Sequence, residues 1–266
     1  MIPVGDSNRI HSTPWVTRLI ILANVVLFIY MFTLPSDPEV VGQNRRGQDL
    51  AEVRDDVPGC YGLETFDTEA DRFICKYAFQ PKEFFDTVSG DSGLDQPDLR
   101  AALFAIIASM FMHGGWLHII GNMLFLWVFG DNIEDRLGHV VFFLFYLLAG
   151  IVAAFIQGAI DPDSVVPVLG ASGAVAGVLG AYLLWFPGAT VRVVIPFFVL
   201  IFIPLPIPAW IMIGVWFVQN LLAGYATIAD AAEPGQGVAW FAHIGGFLFG
   251  MLVAAIAGRR PYRREG

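Results

Sequence analysis

Six long apolar runs, separated by charged or proline- and glycine-bearing stretches, constrain this chain more than any other feature. They are Val16–Leu34, Leu117–Gly130 (extendable to Ile133), Val140–Ile160, Val168–Phe186, Ile207–Gly224 and Val238–Gly258. A helix rises about 1.5 Å per residue and a bilayer's hydrocarbon core is about 30 Å thick, so runs of this size are read as membrane spans. The apolar residues are continuous and do not alternate, which argues against a membrane β-barrel. With 56% hydrophobic residues and a mean hydropathy of +0.63, the 266-residue chain reads as an all-α polytopic membrane protein with six transmembrane helices.

Two shorter apolar stretches, Ala101–Met112 and Val193–Ile203, complicate the count. Each is under about 20 Å long as a helix and cannot span alone. They read as interfacial or re-entrant, and Pro196, Pro204, Pro206 and Pro208 reinforce this for the second. Orientation follows from basic residues near the span ends. The amino terminus carries Arg9 and Arg18, and Arg259, Arg260, Arg263 and Arg264 follow the last span. Arg136 and Arg192 fall in short loops on the same side. The expected topology has residues 1–15 cytoplasmic, a first span at 16–34 and an extracytoplasmic loop at 35–116 carrying the interfacial segment 101–112. A core of five further spans at 117–258 and a basic cytoplasmic tail at 259–266 complete it.

The net charge of −9 is concentrated in the first loop and not spread over the chain. No basic patch with interleaved aromatics points to nucleic acid. The two cysteines, Cys60 and Cys75, both lie in that loop. They are a possible disulfide if the loop faces an oxidising compartment, and otherwise two free thiols. The first apolar run is too long for a cleavable signal peptide and lacks a small-residue cleavage site.

Polar residues inside such spans are costly, so each marks a candidate site. Ser172 opens the fourth run in Gly170-Ala171-Ser172-Gly173, and His243 opens the sixth in Ala242-His243-Ile244-Gly245-Gly246. A serine and a histidine are the minimum for base-activated nucleophilic attack. In the expected topology both lie at the outer end of their spans, at the depth of His118 and Asn122. That pair is spaced i, i+4 on one helix face, and both side chains can donate hydrogen bonds to a developing oxyanion. The competing reading is packing. Small residues recur every three or four positions through Gly170–Gly180 and through Ala242, Gly246 and Gly250, a pattern that lets helices approach closely; His118 and Asn122 can equally glue a bundle. Close approach is also what a serine–histidine hydrogen bond needs, so the two readings are compatible. No carboxylate lies near His243 at membrane depth, because Asp230 and Glu233 are loop residues; a Ser-His dyad is therefore expected rather than a triad. Too few further ligands accompany the histidines for zinc, so no metal or cofactor is expected.

Taken together, residues Ser109 to Gly250 resemble the rhomboid family of intramembrane serine proteases. His113-x4-His118-x3-Asn122, Glu134-Asp135-Arg136, Gly170-x-Ser172-Gly173 and Ala242-His243-x2-Gly246 match the family's motifs in order and spacing. The resemblance implies a rhomboid-like six-helix bundle with a long membrane-associated first loop. It implies Ser172 as nucleophile and His243 as general base. His118, Asn122 and the Ser172 backbone N–H would form the oxyanion hole. His113 would hold the first loop, Glu134 and Arg136 would brace it, and Gly246 would support the site. The fifth helix, with Trp210 and Trp216, would flank the substrate entrance. Some relatives stack a tyrosine on the histidine from the position of Ala176. Here another group must support His243, or it is held less firmly. The Trp-Arg pair of some relatives' first loop is absent, with Ala105 at the arginine position.

The expected activity is hydrolysis of a peptide bond in a transmembrane substrate segment near the outer face. The expected partners are transmembrane protein substrates and membrane lipids. A rhomboid-like protein that binds membrane clients without cutting them is the alternative. A transporter is disfavoured because the spans carry no carboxylate or broken-helix ion site. Short tails without eukaryotic sorting features lead us to expect a bacterial inner membrane.

Overall fold

A computed structural model describes residues 1–35, 68–90, 98–194, 204–229 and 238–258. Most of the acidic loop, Cys60, Pro196, Asp230, Glu233 and the basic tail lie outside these residues. In chain order the elements are β1 (Ile2–Asp6), α1 (Trp15–Thr33), α2 (Glu69–Tyr77), α3 (Pro81–Ser89), α4 (Leu99–Ser109) and α5 (Trp116–Leu137). There follow α6 (His139–Ile160), α7 (Ser172–Trp185), β2 (Thr190–Val194), β3 (Pro204–Pro208), α8 (Ala209–Ala229) and α9 (Trp240–Ala257).

Four helices, α1, α6, α8 and α9, are long and apolar enough to cross a membrane. The protein is thus an integral membrane protein built as a helical bundle. α5 is equally long, at 22 residues, but its last two turns carry Asp131, Glu134, Asp135 and Arg136. α7 is the shortest of the core helices. The run expected to span from Val168 becomes helical only at Ser172. Val168 is held extended by a bridge to Phe79, Gly170 N–H donates to Ser109 O at 2.9 Å, and Gly170 adopts φ +124°, which a side-chain-bearing residue rarely does. The resulting 14-residue helix is about 21 Å long, short of the hydrocarbon thickness. α7 is buried on nearly every side, as expected of a helix apolar all round.

Glycine sets how closely α7 meets α9. A Cβ on Gly246 would lie 2.0 Å from Gly173 O, one on Gly250 1.9 Å from Gly177 O, and one on Gly180 2.1 Å from Phe247 O. These are main-chain obstacles, so the two backbones touch along the whole contact. The small-residue stripes of both sequences face each other here.

A three-stranded antiparallel sheet, ordered β1-β2-β3, was not anticipated from the sequence. Thr190–Val194 alternates inward valines with an outward Arg192, and the proline-rich β3 sits on an edge, where missing N–H groups cost least. The segment read as starting at Val193 therefore begins as the end of a strand, and its centre lies outside the described residues. β1 is tied to the bundle through Asp6, whose carboxylate accepts from the Tyr182 hydroxyl and from Asn132 Nδ2.

The two described loop helices fold back onto the bundle. Phe79 and Phe84 pack with Ala102 and Ile106 of α4 and Ala154 of α6. Thr68 caps α2 through Asp71 N–H, and Asp98 caps α4 through the N–H groups of Arg100 and Ala101. Cys75 is buried on α2.

The Glu134-Asp135-Arg136 motif braces a different place from the one expected. α1 follows Pro14 and has no side-chain cap of its own. Glu134, fully buried, accepts from Val16 N at 2.9 Å, Thr17 N at 2.7 Å and Thr17 Oγ1 at 2.7 Å, and lies 2.6 Å from His139 Nδ1. Asp135 accepts from the N–H groups of His11 and Ser12, and Arg136 donates to Gly258 O while lying over the Trp185 ring. The motif thus joins the start of α1 and the end of α9, about 24 Å along α5 from His118 and away from the described part of the first loop. Glu134→Ala orphans the buried N–H and hydroxyl of Thr17 and the part-buried N–H of Val16 together. We expect it to cost about 3 kcal/mol of stability, read as a lowered thermal midpoint in detergent. An unchanged midpoint would show that water replaces the carboxylate at no cost.

Candidate active site

Three helices and one loop converge at the end of the bundle opposite Glu134. α5 brings His118 and Asn122, α7 begins at Ser172, α9 brings His243, and the turn before α5 brings His113. The glycine contact fixes the register between α7 and α9: a Cβ on Gly173 would lie 3.7 Å from Ala242 O and 3.9 Å from Ala242 Cβ. The residues preceding Gly173 and following Ala242 are Ser172 and His243, so both stand at this end of the α7–α9 contact.

Gly170 forms the floor between Ser172 and His118. A Cβ at Gly170 would meet His118 Cε1 and Nε2, each at 2.8 Å, and would sit 3.7 Å from Ser172 Oγ. The imidazole edge of His118 and the serine hydroxyl thus overlook one small space, and only glycine leaves it open. Asn122 is one turn deeper on the same face; it is buried, and its Nδ2 has no hydrogen-bond partner among the described residues. An orphaned buried amide donor is expensive and is a usual mark of a site. α7 also starts without a side-chain cap, so its first N–H groups carry the positive end of the helix dipole beside Ser172.

His113 is buried and stands edge-to-face on His118, with ring centroids 5.0 Å apart; Ala171 N–H approaches its Nε2 at 3.5 Å. It lies between the first-loop turn and the start of α7. Ala176 is buried inside α7 with no aromatic role.

Support for His243 comes from residues that motif reading missed. Its Nδ1 lies 2.7 Å from Asn220 Oδ1 on α8. The rings of Trp216 and Trp240 flank it, with centroids 5.9 and 6.0 Å away. Trp216, expected at a substrate entrance, turns inward to the histidine, whereas Trp210 is exposed. Gln157 on α6 accepts from Phe241 N–H at 3.1 Å and Ala242 N–H at 3.2 Å, capping α9 beside His243. Neither Asn220 nor Gln157 belongs to a local motif. The available signal was an amide in an apolar run, Gln157 alone and Asn220 beside Gln219.

Comparison with known proteins bears on the whole core. The sequence model of the Rhomboid domain matches residues 100–260. The chain is 33% identical over 162 residues, 59% of its length, to "Rhomboid protein 1, mitochondrial" of Saccharomyces cerevisiae, covering 42% of that protein. It is 25% identical to "RHOMBOID-like protein 2" of Arabidopsis thaliana over 96% of this chain and 70% of that one. It is 29% identical to the human "Presenilin-associated rhomboid-like protein, mitochondrial" over 58% of this chain and 38% of that one. The match thus spans less than half of the yeast and human proteins. The names that carry a location are mitochondrial or chloroplastic, so the expected bacterial inner membrane draws no support from these relatives.

Proposed function

The chain belongs to the rhomboid family, and we propose that it is a serine endopeptidase that cuts transmembrane segments of other membrane proteins. The observation that carries this reading is the meeting of Ser172 and His118 around Gly170, at the end of the α7–α9 contact where Gly173 faces Ala242, the residue before His243.

In this reading Ser172 Oγ attacks the scissile carbonyl while His243 Nε2 takes its proton. The new oxyanion accepts from His118, from Asn122 Nδ2 and from the Ser172 N–H at the start of α7. His243 then gives the proton to the departing amine, and water hydrolyses the acyl-enzyme by the same route. A substrate helix hides its carbonyls in its own hydrogen bonds, so cleavable segments are those that unwind easily, rich in glycine, alanine, serine or proline. In this reading water reaches Ser172 through a polar space lined by His118, Asn122 and His243, which is how water is tolerated at membrane depth. Six spans with both termini cytoplasmic put this end of the bundle toward the outer face, where membrane lipids and the substrate helix meet it.

The test is a reporter with a glycine- and alanine-bearing transmembrane segment, incubated with purified protein in proteoliposomes and read by product mass. Expected are one dominant cut inside the segment and covalent labelling of Ser172 by a fluorophosphonate. Folded protein that neither cuts nor labels would replace this reading with that of a client-binding protein.

A further inference from the structure

We infer that Asn220 is the third member of the site, a positioning residue that fixes the tautomer and the aim of His243. The inference rests on the protease reading and deepens it. Only a dyad was expected, since no carboxylate lies at the right depth, and the position of Ala176 offers no ring to hold the imidazole.

Asn220 is otherwise hard to explain. Val215, Val218, Leu221 and Leu222 around it on α8 are exposed apolar residues, as expected of a helix facing lipid, and the adjacent Gln219 is exposed as well. Asn220 is instead buried at 3% exposure. A buried amide in an apolar helix is costly unless its hydrogen bonds are made. Both ends of this one are used. Nδ2 donates to Trp216 O at 2.7 Å, one turn back on the same helix, and Oδ1 lies 2.7 Å from His243 Nδ1.

The first bond determines the second. A carbonyl oxygen only accepts, so the amide edge facing Trp216 O must be the NH2 group. The edge facing His243 is then the oxygen, itself only an acceptor. His243 must therefore carry its proton on Nδ1 and donate it to Asn220. The lone pair is left on Nε2, the nitrogen that a base toward Ser172 requires. Trp216, whose carbonyl orients the amide, also lays its ring near the imidazole, and Phe217 stacks on Phe247 of α9 at 4.2 Å. One turn of α8 thus sets tautomer, tilt and distance together. Because the acceptor sits on α8 while Ser172 sits on α7, a displacement of α8 from α9 releases the tautomer without breaking the α7–α9 contact.

The experiment uses the full chain, with histidine-selective 15N and 13C labelling in detergent, His243 being assigned by difference against His243→Ala. Expected is His243 as the Nδ1–H tautomer in the wild type, changing to a mixture or to Nε2–H in Asn220→Ala. In parallel, Asn220→Ala lowers kcat on the reporter by about 10- to 100-fold with KM within about twofold, and Asn220→Asp, which keeps an acceptor oxygen, recovers most of the loss. An Nε2–H tautomer in the wild type, or identical His243 signals with and without Asn220, overturns the inference. So does equal loss in the alanine and aspartate variants. A wild-type protein that neither cleaves nor labels removes the protease reading, and the tautomer measurement still decides the role of Asn220.

Discussion

Ser172→Ala and His243→Ala are each expected to lower reporter cleavage by about 10⁴-fold or more, and the double variant to be no slower than either alone. The non-additivity is the informative part. A nucleophile and its base act as one unit: without the hydroxyl the imidazole has nothing to deprotonate, and without the imidazole the hydroxyl is a poor nucleophile. The remaining helices still bind the substrate, so KM should change little. Ser172→Ala removes one small atom from the start of α7 and should leave the thermal midpoint in place. His243→Ala strands the buried Asn220 oxygen and should lower it by about 1–2 kcal/mol equivalent. Two modest losses that multiply would mean that the residues contribute separately to substrate binding, and the nucleophile–base assignment would fall.

The apolar runs were legible because span length and continuity are properties of the sequence itself. α1, α5, α6, α8 and α9 begin and end near the runs that announce them. α7 is the exception, since Val168 and Gly170, expected inside it, are held out of the helix by Phe79 and Ser109, partners far away in the chain. The same limit explains the misplaced brace and the missed supports. Helix caps are usually read locally, from a serine, threonine, aspartate or asparagine at the helix start. Here α1 and α9 have no such residue, and their caps arrive from Glu134 and Gln157, on other helices. Asn220 is a partner of the same long-range kind. The sheet was hidden for a different reason: its strands are five residues each, and β3 is mostly proline, which reads as a breaker. The glycine stripes were legible as a packing signal, while their consequence for catalysis needed the register that the fold supplies.

That register yields the second large effect. Gly246→Ala is expected to reduce cleavage by about 10²-fold or more per folded molecule, although residue 246 touches no substrate atom. The added Cβ would lie 2.0 Å from Gly173 O, well inside contact distance, and a backbone carbonyl cannot turn away as a side chain does. α7 and α9 must part by more than about 1 Å to admit it, an overpacking that costs about 1–3 kcal/mol. Gly173 follows Ser172 directly, and Gly246 lies one turn below His243 on the same helix. The separation therefore opens at the nucleophile and base, where an error of about 1 Å is worth about two orders of magnitude. Gly214→Ala on α8 is the matched control, because a Cβ there meets nothing within 4 Å and alanine favours the helix. It should retain wild-type stability and cleavage. The decisive comparison is rate per molecule still folded, taken below the melting transition of each variant. If Gly246→Ala loses only folded protein and the surviving molecules cleave normally, the glycine contact serves stability alone. A lower rate in fully folded protein, with the Ser172→Ala background showing the same structural shift by cross-linking between α7 and α9, would place the aim of the serine toward the histidine in the closeness of two backbones.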